Sequence, residues 1–231
     1  MTVNLLHDRC DAADFSRILD ETDPDAVVTQ ELGPSCADVL VGKYRHHRLR
    51  PALDFVGRGI ATRFEATFGE IEMPARPGTS ATFDVHGTQV RLGGVHLLNP
   101  INFPWWRAAR NRGKQLEGLF AWLDEEPSSP TLVAGDFNAS PAWPAYKRVD
   151  ERLTDLVGEY AERRGLAAEP TWGWRPGWPR MLRIDHVFGV GVSANAVEVS
   201  PVRGSDHAAV IVDLELIAPG PDQSPVPRSN E

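Results

Sequence analysis

Cysteine is scarce: the 231 residues hold two, Cys10 and Cys36. Two thiols in a chain of this size make no disulfide framework, and their spacing is not the CxxC of a zinc site. Both are expected as small buried residues. No apolar run approaches the roughly 18 residues of a membrane-spanning helix, so none is expected. The opening MTVNLLHDRCDAAD lacks a basic segment followed by an apolar one, so no signal peptide is read and the expected location is cytoplasmic. Positive charge is in deficit too, with 24 basic against 32 acidic residues and a net charge of −8. That balance argues against a non-specific polyanion binder. It says less about the local surface, because a metal site gathers carboxylates by itself.

What is present fits one sizeable soluble domain, with 42% hydrophobic and 24% charged residues. The domain is expected over residues 1–217. Residues 218–231, rich in Pro and Ser without an apolar period, are expected as a disordered tail. Short apolar, β-branched runs at 2–6, 26–29, 55–62, 90–98, 131–134, 184–190 and 208–216 predict strands. Helical spacing links Phe15, Ile18 and Leu19, then Leu116, Leu119, Phe120 and Leu123, then Leu153, Leu156, Val157 and Tyr160. Some strands follow one another directly, near 55–71 and 82–98, so a layered α/β sandwich fits better than a doubly wound sheet.

The polar residues fall at the ends of these strands, where a rigid sheet delivers side chains to a shared rim. Asn4 lies in the first strand and Gln30-Glu31 closes the second. His96 ends RLGGVHL, and Asp136 and Asn138 follow TLVAG. Asp185 sits in RIDHVF, and Asp206-His207 precedes AAVIVDL. Phosphodiester hydrolysis needs an attacking water, neutralisation of phosphoryl charge and help for the leaving oxygen. A hard cation such as Mg²⁺ supplies much of the neutralisation through oxygen ligands. Glu31 is the leading ligand candidate, with Asp206 and Asp136 close to it in role. Asn4 and Asn138 are neutral amides able to orient a carboxylate, a water or a phosphate oxygen. His207 beside Asp185 would have its tautomer fixed for proton transfer or phosphate contact. Each residue alone has a plain reading: a solvated Glu, a turn Asp, a core histidine at 96, a strand-start Asn at 4. Their joint occurrence in this order points to chemistry.

The segments VNLL, DAVVTQEL, GRGIATRF, GGVHLL, LVAGDFNASP, RIDHVF and GSDHAAVIVDL resemble the endonuclease/exonuclease/phosphatase superfamily. That group includes deoxyribonucleases, abasic-site endonucleases, inositol-polyphosphate 5-phosphatases and neutral sphingomyelinases. The resemblance runs from residue 3 to about 216, and GDFN and SDH are its specific parts. It implies an α/β (α+β) fold, a four-layer αββα sandwich of two packed mixed β-sheets flanked by helices, with the active site at one end. It implies Glu31 as metal ligand assisted by Asn4 and Asp206, for Mg²⁺ or Mn²⁺. Asp136 and Asn138 would position water and phosphate. His207, oriented by Asp185, would contact the scissile phosphate or move a proton, and His96 would stabilise the transition state or act as acid. The implied partner is a phosphate-ester substrate, DNA or RNA or a phospholipid head group, with no obligate protein partner. Only three residues precede Asn4, fewer than this strand usually has, and the insertions that grip DNA or lipid in some members are missing. The substrate therefore stays open.

Two basic clusters, Lys43–Arg50 and Arg107, Arg110, Arg112 and Lys114, read as a solvated loop and a solvated helix face, or as phosphate attractors. Arg58 and Arg63 flank a strand that borders the site in the family. Trp105-Trp106 and Trp172, Trp174 and Trp178 suggest base stacking or membrane-interface insertion, but packing against the sandwich is the expectation. His186 alternates away from Asp185 and is expected to be structural. The functional expectation is a metal-dependent phosphodiesterase, most readily on nucleic acid. The alternatives are a phosphatase or phospholipase C-type hydrolase on a lipid or inositol phosphate head group, and a silent binding module of the same fold.

Overall fold

The computed structural model describes residues 1–101 and 104–217, apart from the side chain of Trp105. The expected tail at 218–231 lies outside the described residues. In chain order the elements are β1 (Thr2–His7), α1 (Ala12–Thr22), β2 (Ala26–Leu32), α2 (Pro34–Lys43), β3 (His46–Arg50), β4 (Arg58–Thr62) and β5 (Ala66–Ile71). There follow β6 (Gly78–Val85), β7 (Thr88–His96), α3 (Trp105–Glu125), β8 (Thr131–Asp136), α4 (Pro144–Asp150), β9 (Thr154–Asp155) and α5 (Leu156–Arg163). The chain continues through β10 (Trp172–Gly173), β11 (Arg180–Leu182), β12 (Asp185–Val190), β13 (Val192–Pro201) and β14 (Ala208–Leu216).

Two six-stranded sheets form, ordered β13-β14-β1-β2-β4-β3 and β5-β6-β7-β8-β12-β9. Each contains one parallel pair, β1 with β2 and β7 with β8, and antiparallel neighbours elsewhere. A parallel pair needs a crossover, and α1 and α3 supply the two. Strand alternation then sorts the apolar residues into layers. Val3, Leu5 and Val27 pack outward with Phe15, Ile18 and Leu40. Val95, Val133 and Phe188 pack outward with Leu116, Leu119 and Tyr146. Val28, Ile60, Leu92, Ala134, Val187 and Val210 meet between the sheets. The result is the expected four-layer αββα sandwich. No helix among the described residues is long and apolar enough to cross a membrane.

Helix α1 shows why local sequence and packing agree here. Asp11 caps its first turn by accepting from the amides of Ala13 and Asp14, while Phe15, Ile18 and Leu19 form its buried stripe. The sequence expectation missed α2, β3 and β13. These carry few apolar residues in regular alternation, and tertiary pairing sets them. The expected strand at 55–62 begins only at Arg58, because residues 51–57 form a loop. Both cysteines are buried and unpaired in disulfide terms, as expected.

One buried charge network braces the second sheet. Arg183 Nη2 lies 2.6 Å from Asp155 Oδ2, which also accepts from the Tyr146 hydroxyl at 2.6 Å. Burial pushes the Asp155 carboxyl up, but the Arg183 hydrogen bond and charge outweigh it and the net shift is downward. The folded chain therefore binds this proton less readily than the unfolded one. The stabilisation is full above the unfolded value of about 4 and fades as pH falls through the lower folded value. Arg183→Leu is expected to cost about 3–5 kcal/mol at neutral pH by stranding a buried carboxylate. Urea titrations should show that gap from wild type narrowing in acid, and an identical gap at both pH values would contradict the account.

Candidate active site

The inner-face positions of the strands are apolar until one end of the sandwich, where they turn polar. Ala134 gives way to Asp136 on β8, Val187 is preceded by Asp185 on β12, and β7 ends at His96. Asp136 pairs in register with both Asp185 and His96. Asn4 reaches across from the other sheet and donates from Nδ2 to Asp136 Oδ2 at 3.1 Å. All eight residues singled out from the sequence, Asn4, Glu31, His96, Asp136, Asn138, Asp185, Asp206 and His207, gather at this rim through a connected set of contacts.

Asp136 is the hub. Its Oδ1 accepts from the Asn138 amide at 2.8 Å, and its Oδ2 accepts from Asn138 Nδ2 at 3.2 Å. His96 Nε2 lies 3.4 Å and His207 Nε2 3.9 Å from the same Oδ2. Asn138 holds this position in a left-handed conformation, φ 46°, that Asn tolerates well. Its Nδ2 also donates to the Leu97 carbonyl at 3.0 Å.

His207 and Asp185 form a buried pair, with Nδ1 2.8 Å from Oδ2 and 3.1 Å from Oδ1. Thr171 fixes Asp185 in turn by donating its hydroxyl to Oδ2 at 2.6 Å and accepting the Asp185 amide at 3.1 Å. Burial pushes His207 down, but the Asp185, Asp136 and Asp206 carboxylates prevail and raise it to about 10. Nδ1 is thus engaged, and Nε2 faces the hub. His96 moves the other way: burial, then the charges of Arg76, His207 and His7, hold it well below its ordinary value. Burial first, and Asp185 second among the groups acting in that direction, raise Asp136.

Five further residues at the rim escaped sequence reasoning. The Arg76 guanidinium, buried, abuts His96 Nε2 and stacks on Phe55 at 4.7 Å. Thr171 orients Asp185. The Trp172 indole donates to Asp206 Oδ2 at 3.2 Å. His7 Nδ1 lies 2.9 Å from Glu31 Oε2. Arg112 is buried rather than on a solvated helix face, donating to the Leu98 and Phe137 carbonyls behind the rim. Arg76, Thr171 and Trp172 lie in loops with no apolar period to place them. His7 follows two apolar residues and reads as the end of a strand.

Other expectations need correction. Arg63 pairs with Asp23, beyond the end of α1 and at the far end of the sheets, so it does not border the site; Arg58, beside Gln30 in register, does. Trp174 and Trp178 are 61% and 57% exposed and do not pack against the sandwich. They belong to a β10–β11 hairpin whose interior is only a few residues wide, too little to bury two indoles. His186 is structural as expected, with Nε2 against the Ala139 carbonyl at 2.8 Å and its ring among Phe137, Tyr146 and Phe188.

A groove of about 870 Å³ leads away from the rim, lined by Arg17, Arg175, Trp178, Arg180 and Arg203 and ending on Asp206 and His207. A second cavity, about 480 Å³ and mostly apolar, opens at the opposite end of the sandwich beside Asp23, Phe64 and Leu216. It holds no histidine and no carboxylate–amide set, so we place the chemistry at the rim.

The donor set can be tested for a cation. Asp136, Asp185 and His207 offer atoms within 4.8 Å of one another, but Asp185 is committed to His207 and Thr171, and Asp136 to two amides. By contrast Glu31 Oε2 and Asp206 Oδ1 are buried oxygens with no hydrogen bond among the described residues. Uncompensated buried carboxylate oxygens are costly, and a divalent ion held by Glu31 and Asp206 removes that cost. The residues fit the group.

A four-layer sandwich with an acid, amide and histidine rim defines a class of hydrolase, and comparison narrows it. Residues 1–207 match the Endonuclease/Exonuclease/phosphatase family, and the chain belongs to it. Among solved structures, a 3′-5′ exonuclease from Neisseria meningitidis has a TM-score of 0.69 at 21% identity, covering 92% of this chain and 97% of that one. TDP2 of D. rerio, complexed with single strand DNA product, has a TM-score of 0.72 at 17% identity, covering 93% and 98%. These likenesses concern the fold. Two UPF0294 proteins of Vibrio vulnificus are 31% identical over 121 residues, 52% of this chain, and the match spans only 38% of their own length.

Proposed function

We propose that this chain is a divalent-metal-dependent phosphoesterase that hydrolyses a phosphodiester, with single-stranded nucleic acid as the substrate class. The supporting observation is the convergence on Asp136 Oδ2 of two amides and two imidazoles, one of them locked by a buried Asp–Thr pair. The DNA carried by structural neighbours adds support to the substrate class, as does the groove, whose four arginines and one exposed tryptophan suit phosphates and a stacked base.

Bound at Glu31 and Asp206, the cation would neutralise charge on the phosphoryl oxygens. Asp136, with both oxygens held by amides, orients the attacking water and takes its proton as water adds to phosphorus and the ester P–O bond breaks. His207 presents Nε2 to the phosphoryl group, with Asp185 fixing the ring and balancing its charge. Asn4 and Asn138 keep Asp136 aimed without adding charge. His96 keeps its Nε2 lone pair towards Arg76, so it positions that guanidinium, which offers positive charge to a phosphoryl oxygen.

Purified protein should cleave bis-p-nitrophenyl phosphate and single-stranded oligonucleotides with added Mn²⁺ or Mg²⁺. EDTA should abolish turnover, and excess metal should restore it. Undiminished cleavage in chelator would end the metal-dependent reading. A phospholipid head group is the second reading, favoured by the exposed Trp174, Trp178 and Met181 on the rim hairpin. Turnover of sphingomyelin vesicles above that of oligonucleotides would put it first.

A further inference from the structure

Strand β1 departs from regular geometry where it reaches the rim. Its register with β2 shifts between Asn4 and His7. Leu6 and His7 are consecutive left-handed residues, φ 48° and 62°, and Glu31 opposite is also left-handed, φ 50°. None is Gly or Asn, and each such residue costs on the order of 1–3 kcal/mol, retained where a site requires it. What the distortion produces is one contact: His7 Nδ1 lies 2.9 Å from Glu31 Oε2. Both atoms are sealed from solvent, and neither makes an aligned hydrogen bond among the described residues.

We propose that His7 is a nitrogen ligand of the same cation as Glu31, so that the site prefers a first-row transition ion to Mg²⁺. This rests on the metal-dependent reading above and deepens it. Two donors at adjacent octahedral positions, each about 2.1 Å from a cation, stand about 3 Å apart, and the pair has that spacing. A shared ion explains why two lone-pair atoms point to one place without bonding to each other. Mg²⁺ favours oxygen and holds its waters, whereas an imidazole shifts affinity towards transition ions. His96 Nε2, 3.8 Å from Glu31 Oε1, stands on the other side of the carboxylate and is occupied by Arg76, leaving His7 as the nitrogen available at Oε2.

Mn²⁺, the least nitrogen-seeking of the series, provides the strict test. Full-length protein is loaded with Mn²⁺ and read by calorimetry and by electron spin-echo nitrogen modulation. His7→Asn is the variant, since Asn accepts the left-handed backbone. Wild type should show histidine nitrogen coupling and bind Mn²⁺ more tightly than Mg²⁺. His7→Asn should lose that coupling and at least about tenfold in Mn²⁺ affinity, with Mg²⁺ affinity nearly unchanged. Wild-type Mn²⁺ binding without nitrogen coupling, or coupling that survives in His7→Asn, overturns the ligand role and leaves the phosphoesterase reading standing. Absence of any divalent-ion binding to wild type overturns both.

Discussion

Asp136→Asn is expected to lower phosphodiester turnover by about 10³-fold or more while the protein stays folded. The residue is 1% exposed and accepts from Asn4 and from both the backbone and the side chain of Asn138. An amide of the same shape keeps the packing but cannot take a proton from water, and its NH₂ group would confront a donor already in place. Burial raises the native carboxyl, so removing its charge does not strand a favourable ion pair, and the melting temperature should move by only a few degrees. Turnover within tenfold of wild type would displace Asp136 from the centre of the mechanism. His207→Ala should cost a similar factor. Because Asp185 acts through His207, His207→Ala combined with Asp185→Asn should be no slower than His207→Ala alone. Multiplicative losses would show that Asp185 has a separate role.

Gly135→Ala is expected to be the most damaging single-methyl change in the chain's central motif. Gly135 has φ +150°, and a Cβ there would stand 2.0 Å from the Val95 carbonyl oxygen. That oxygen belongs to the parallel β7–β8 pair that carries His96 and Asp136 side by side. Backbone on both sides leaves nothing flexible to yield, so the substitution should cost about 4 kcal/mol or more. A urea midpoint near that of wild type would refute this. Activity is expected to fall with folding rather than ahead of it, which separates this effect from that of Asp136→Asn.

Gly135 and Asp136 show two kinds of legibility. The glycine looks like punctuation in the sequence, and only the strand packed against it reveals that no side chain fits. Asp136, Asp206-His207 and Glu31 were legible because each ends or precedes an apolar strand, and a sheet brings strand ends together whatever the loops do. Arg76, Thr171 and Trp172 were not, since loop positions carry no period and their partners lie far along the chain. Thr171 reaches Asp185, and Trp172 reaches Asp206. The tryptophans of the hairpin were misjudged for a related reason: average burial says nothing of a segment with too little interior to fill.

The sequence by itself determined the layered fold, the reaction class that its strand ends imply, and eight residues of the rim. Periodicity and strand-end chemistry are local, and local signals survive without coordinates. Only the tertiary structure decided which imidazole is locked by a carboxylate and which lies against a guanidinium. It alone decided that β1 bends to set His7 beside Glu31 and that a basic, aromatic groove leads into His207. Those are relations between distant segments at ångström scale, and they exist once two sheets have packed face to face.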